Sequence, residues 1–254
     1  MDRLWLPCFF LLAVGLALFW PSVEAGAANM PDKAESLYSQ GIQHHRLAPL
    51  KQALQLFEAA ANQHPQSYEA NWKAARSCRT YAEYAKRQAV DGWKDICAKY
   101  GRKGMGYAHK AFELEPDAVE GHFFYGLCVG VYSDGVSIFT ALKEGLKDKT
   151  RNHLEAAYRL DKTYRDGTPA LALGRFWEVL PWLAGRDTDK ALDYYREAET
   201  IMPTDSRFRP QLQVYLGGLL LDQGTGEARA RQMLQQAAAS DDPYFSQRAR
   251  KLLQ

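Results

Sequence analysis

The stretch "AGRDTDKALDYYREAETIMP", residues 184–203, decides the fold. Arg186, Asp187, Asp189, two tyrosines and Glu197 stand close together in it and invite a catalytic reading. Helix grammar accounts for the same residues without chemistry. Asp187 or Thr188 suits a helix start, where a side-chain oxygen accepts from a free backbone N–H, and Asp189 suits the positive end of the helix dipole. Ala191, Tyr195 and Ala198 follow at steps of four and three, so they share one face. Pro203 ends the run, because it has no N–H and clashes with the preceding turn. The stretch is expected to be a packing helix.

Its spacing, small–x3–aromatic–x2–small–x4–Pro, recurs along the chain. Ala53, Phe57, Ala60 and Pro65 repeat it in "ALQLFEAAANQHP". Gly104, Ala108, Ala111 and Pro116 repeat it in "GMGYAHKAFELEP", with alanine for the aromatic. Thr150, Leu154, Ala157 and Lys162 form a looser copy, as do Ala230, Leu234, Ala237 and Asp242. Upstream of most copies a second helical stretch carries a glycine: Gly41, Gly126, Gly174 and Gly217. Small residues at fixed points let two helices approach, and a large residue fills the notch opposite. With Leu37 in register in the first copy, this resembles the tetratricopeptide (TPR) repeat, a helix–turn–helix unit of about 34 residues. The resemblance implies an all-α solenoid of helical hairpins, about five of them, with one continuous core and a single domain over 26–254.

Two departures from a minimal repeat stand out. "SDGVSIFTALKEGLKD", Ser133–Asp148, inserts an extra short helix into the third repeat, with Ile138, Phe139, Leu142 and Leu146 on one face. It reads as a cover over the core or as a lid or partner surface, since long insertions in compact domains are often functional. In "FWEVLPWLAGRD" Pro181 breaks a helix between Trp177 and Trp182, both expected to pack into the core. With these departures, "YAHKAFELEPDAVEGHFFYGLCVGVYSDG" and the segment after it resemble two families of repeat protein. One is the regulator-of-microtubule-dynamics type; the other is the T-component of tripartite (TRAP) transporters, which works beside a periplasmic solute-binding protein. Neither resemblance implies an enzyme.

Residues 1–25 differ in kind. Leu4–Trp20 is almost wholly apolar, and "SVEA" and "GAA" supply small residues for cleavage. Residues 1–25 are expected to be a signal peptide cut near Ala25 or Ala27, placing the repeats outside the cytoplasm, in a periplasm. The alternative is a membrane anchor through residues 4–20. Cys8 lies inside the apolar run, unlike a lipid-acceptor cysteine.

The 254-residue chain carries a formal charge of +2 and no long basic run, so nucleic acid is not an expected partner. No HExxH, GxSxG, Walker or calcium-loop pattern occurs, and "GMGYAH" has no preceding strand to make it a dinucleotide fingerprint. Neither an enzyme, a cofactor nor a bound metal is expected. Cys78 and Cys97 are equally distant from a turn expected at Lys86–Val90, which makes them candidates for a disulfide across antiparallel helices. Cys128 reads as core.

In stacked hairpins the first helices line the concave face, the usual recognition surface. That argument selects Trp72, Arg76 and Arg79 in the second repeat, Phe123 and Leu127 in the third, and Leu171, Arg175 and Glu178 in the fourth. Arginines beside apolar positions suit the acidic end of a protein partner, because guanidinium grips carboxylate bidentately. A small apolar acid held by the same groove is the alternative.

Overall fold

A computed structural model describes residues 30–254. The chain is all-α over that range. The signal-peptide or anchor segment, residues 1–25, lies outside the described residues. Among those residues no helix is long and apolar enough to cross a membrane.

Five helical hairpins follow one another. The first pairs α1 (Met30–Gln43) with α2 (Leu47–Gln63), and the second α3 (Tyr68–Arg87) with α4 (Trp93–Leu114). The third pairs α5 (Val119–Gly135) with α7 (Leu146–Leu160), the short α6 (Ile138–Lys143) lying between them. The fourth pairs α8 (Tyr164–Val179) with α9 (Thr188–Ile201), and the fifth α10 (Arg209–Asp222) with α11 (Glu227–Ala238). A last helix, α12 (Pro243–Leu252), packs on the fifth hairpin.

The opening stretch forms α9 and does what its grammar dictates. Asp187 accepts from Lys190 N at 3.0 Å, and Ala191, Tyr195 and Ala198 are fully buried. The same logic starts other helices: Ser67 accepts from Ala70 N, and Asp242 from Tyr244 N and Phe245 N ahead of α12.

Glycine notches hold the hairpins closed. A Cβ on Gly126 would stand 2.8 Å from the Leu154 side chain, one on Gly174 2.5 Å from the Tyr195 ring, and one on Gly217 3.1 Å from Leu234. Each large residue is the one the spacing put in that position. The first hairpin differs. Gly41 receives Leu50, not Phe57, because only residues 44–46 separate α1 from α2 and Gly41 sits close to the turn.

Three expectations are corrected. The insert does not begin at Ser133: α5 runs through Asp134-Gly135, and Gly135 is needed where α5 meets the backbone of Ala98 and Lys94 on α4. The insert is therefore shorter, residues 136–145, and no residue of α6 is fully buried. Trp177 is buried, but Trp182 on the 3-10 turn Trp182–Ala184 is 79% exposed and is no part of the core. The Cys78–Cys97 disulfide is not formed, and Cys78, Cys97 and Cys128 are all free and buried. The α3–α4 connection centres nearer Val90 than expected. Cys97 Sγ therefore meets the Ala82 carbonyl at 3.7 Å, one turn along α3 from Cys78. Cys78 instead shares the Gly104 notch with Cys128.

Candidate functional site

The first helices of the second, third and fourth hairpins wall a concave groove of about 780 Å³. Its floor is apolar: Phe123, Phe124, Leu127, Leu154, Leu171 and Phe176. The C-terminal helix reaches it through Tyr244 and Arg248. The Arg87 guanidinium, at the end of α3, lies 5.1 Å from the Tyr244 ring and 4.7 Å from Phe245, so α3 and α12 meet across the opening. The solenoid half-encloses this volume.

Seven basic side chains line the groove against two acidic ones, Glu83 and Asp134. Three of the seven are paired. Lys86 meets Asp134 at 2.6 Å, Arg87 meets Glu83 at 2.9 Å, and Arg175 meets Glu178 at 2.8 Å. Burial alone would raise the Glu83 carboxyl, but Arg87, Arg79 and Lys86 outweigh it and hold its pKa down at about 2. Glu83 therefore stays ionised, one negative charge shared among Arg87, Arg79 and Lys86.

Arg79 and Arg165 have no carboxylate within ion-pair distance among the described residues, although Arg79 feels the Glu83 charge. Arg79 Nε is buried with no hydrogen-bond acceptor among the described residues. The Arg165 guanidinium lies 5.9 Å from the Phe124 ring and 5.2 Å from Phe208. Burial pushes its pKa down, and the nearby Arg207 and Arg76 add to that. It makes no ion pair with a described carboxylate. Its backbone is also unusual. Arg165 (φ 46°), Asp166 (φ 62°) and Gly167 (φ 84°) are successively left-handed, and the true helix begins only at Thr168–Pro169. Such a conformation costs on the order of 1 kcal/mol for a residue with a Cβ and persists only where its surroundings enforce it. Here Asp166 accepts from Ser206 Oγ at 2.7 Å and pins the turn. The consequence is an arginine aimed into the groove from a position no regular helix would give it.

The eight residues expected from sequence divide. Arg79, Phe123, Leu127, Leu171 and Arg175 line the groove. Trp72, Arg76 and Glu178 do not. Trp72 stacks on Phe124 with ring centroids 5.9 Å apart. Arg76 is 7% exposed, held by both Glu35 oxygens at 2.8 Å and 4.1 Å from the centre of the Tyr38 ring. Because α1 lies over this end of α3, Arg76 is a tie between hairpins and the groove-lining stripe starts one turn later. It runs Arg79, Glu83, Lys86, continuing the same three-and-four spacing. Glu178 stands behind Arg175, accepting from Tyr195 Oη as well, and orients that guanidinium. Arg165 and Arg248 escaped the periodicity argument, the first because it sits on a turn, the second because α12 belongs to no repeat.

A second titratable cluster lies outside the groove, where α4, α5 and α7 meet. His122 Nδ1 and His153 Nδ1 are 3.0 Å apart, and Phe112 stacks against His109 and His122. Burial, with His122 and His109 nearby, lowers the His153 pKa to about 4. His153 is thus a neutral, half-buried histidine.

Hairpins of this length, closed by glycine notches and stacked about a concave face, make the protein a TPR-like helical repeat protein. The family model described as "Regulator of microtubule dynamics protein 1-3" matches residues 30–177, more than half of the chain, and the chain belongs to that family. Among solved structures, the thermophilic TPR protein TTC0263 of Thermus thermophilus is similar, with a TM-score of 0.59 and 18% identity over 87% of this chain and 98% of that one. The MamA protein gives a TM-score of 0.42 and 13% identity over 83% of this chain and 91% of that one. No curated protein matches by sequence. TPR-like folds generally bind protein partners and are typically non-catalytic.

Proposed function

We propose that this protein is a non-catalytic interaction scaffold whose groove captures an acidic, apolar-bodied segment of a protein partner. The single observation that supports this most is the pair Arg79 and Arg165, cations without a close ion-pair partner above an aromatic and aliphatic floor. A carboxylate there would form charge-assisted hydrogen bonds while its apolar neighbours cover Phe123, Leu127 and Leu171. The volume suits a few residues of extended chain, not a folded domain. On the sequence reading of residues 1–25, the setting is outside the cytoplasm. The partner would then belong to a transport or envelope assembly, such as one containing a periplasmic solute-binding protein.

A second reading has its own support. The closure of α3 onto α12 half-encloses the groove, as in a carrier for an organic acid with an apolar body. Affinity capture from native extract, paired with native mass spectrometry of the purified protein, separates the two. A co-purifying protein lost in the Arg79→Ala variant supports the scaffold, and a retained small acidic mass lost in that variant supports the carrier. Capture equal to wild type by Arg79→Ala and by Arg165→Gly would refute both.

A further inference from the structure

Six large apolar side chains stand in solvent on two neighbouring connections. Ile138, Phe139 and Leu142 on α6 are 52%, 80% and 64% exposed; Val179, Trp182 and Leu183 after α8 are 52%, 79% and 79% exposed. The two connections face each other across one mouth of the groove, which Ile138 and Leu142 line from one side and Val179 from the other. Lys147 bridges them, its Nζ 3.3 Å from where a Cβ on Gly185 would stand. α6 rests on the core through the half-buried Ala141, and core packing does not explain its Ile138, Phe139 and Leu142. Monomeric soluble proteins seldom leave so many large apolar side chains in water close together without a use for them.

Charge says what covers this rim. The acidic residues beside it are already engaged: Glu144 by Arg102, Asp148 by Arg151 and Asp187 by Lys190. Lys143, Lys147 and Lys149 have no carboxylate within ion-pair distance among the described residues. Two proud apolar tips with unpaired lysines around them match an anionic bilayer surface. Tryptophan, phenylalanine and leucine settle at the headgroup boundary, and lysines meet the lipid phosphates. A protein partner would need a complementary rigid shape; side chains four-fifths exposed on separate tips offer none, whereas a fluid interface requires none.

We propose that the rim formed by α6 and the Val179–Leu183 connection docks the protein onto an anionic lipid bilayer. The rim shares Ile138, Leu142, Val179 and Lys147 with the groove lining, while Phe139, Trp182, Leu183 and Lys143 lie outside it. The test uses the full chain and the fluorescence of Trp182, taken as the difference between wild type and Trp182→Phe. The vesicles carry bromine on the acyl chains, either of phosphatidylserine or of phosphatidylcholine alone. Docking predicts that the Trp182 signal drops by about half or more with the anionic vesicles, and far less with the neutral ones. Lys143→Glu with Lys147→Glu should weaken that quenching titration about tenfold or more. An unquenched Trp182 on vesicle-bound protein would overturn the proposal, because another part of the chain would then be making the contact. Concentration-dependent self-association abolished by Phe139→Ser, with no quenching, would also overturn it and assign the rim to a second copy.

Discussion

The first and third hairpins are built on one rule and end differently. In both, a leucine enters a glycine notch: Leu50 at Gly41, Leu154 at Gly126. The first hairpin turns in three residues and its first helix ties α3 in place through Glu35 and Tyr38. The third spends residues 136–145 between its helices and leaves Phe139 and Leu142 in water. The seam is indifferent to the insertion, because notch packing needs only the two helices and not a particular connection. Side chains that break the repeat rule are thereby free for other work, and they gather at the groove and its rim.

If the seams are equivalent, Leu50→Ala and Leu154→Ala should be equally harmful. Each empties a notch whose filling side chain is 2% exposed or less, and each should cost about 2–5 kcal/mol in chemical denaturation. A much smaller loss at Leu154 would show that the insertion loosens its hairpin and would break the comparison.

Arg76 and Arg79, one turn apart on α3, sharpen it. Arg76→Ala leaves Glu35 with Lys73 alone, at 3.2 Å, and removes the stack on Tyr38, and should lower stability by about 1–3 kcal/mol, Glu35 being partly in water. Arg79→Ala should change stability by no more than about 0.5 kcal/mol. Thermal melts of the two variants side by side decide this.

The third hairpin should also respond to pH. His153 titrates normally near 6.5 in the unfolded chain but only at about 4 in the fold. As pH falls below 6.5 the unfolded state takes up a proton that the native state refuses, so stability is lost on acidification. With discount for partial exposure, the loss between pH 6.5 and 5 is about 1 kcal/mol. His153→Phe should flatten that slope in denaturation curves taken across this window.

Period and spacing made the seam legible: the run from Asp187 to Pro203 announced a capped packing helix, and Tyr195 proved to be the notch residue for Gly174. The groove was half legible. The i, i+4, i+7 stripe found Arg79 but began one turn early, since periodicity carries no sign that Glu35 on α1 takes Arg76 or that Trp72 stacks on Phe124. Arg165 was invisible to it, because three consecutive left-handed residues follow no helical period and only one of them is glycine. The cysteine pairing failed on a shift of about two residues in a turn, which in an antiparallel pair moves the facing residue by a full helical turn. Trp182 was misplaced because a proline marks where a helix stops, not which way the next side chain points.

Arg165→Gly tests the central claim, that the groove keeps cations without a close ion-pair partner for an anionic ligand, most directly. Glycine takes the left-handed conformation without strain, so the variant should be as stable as wild type or more so, by up to about 1 kcal/mol. The probe is anilinonaphthalene sulfonate, an anion with an apolar body, titrated by fluorescence against wild type and variant. Affinity about tenfold or more weaker in the variant, at an equal or higher melting temperature, is the predicted result. Unchanged affinity would contradict the account, because the strained arginine would then serve no ligand.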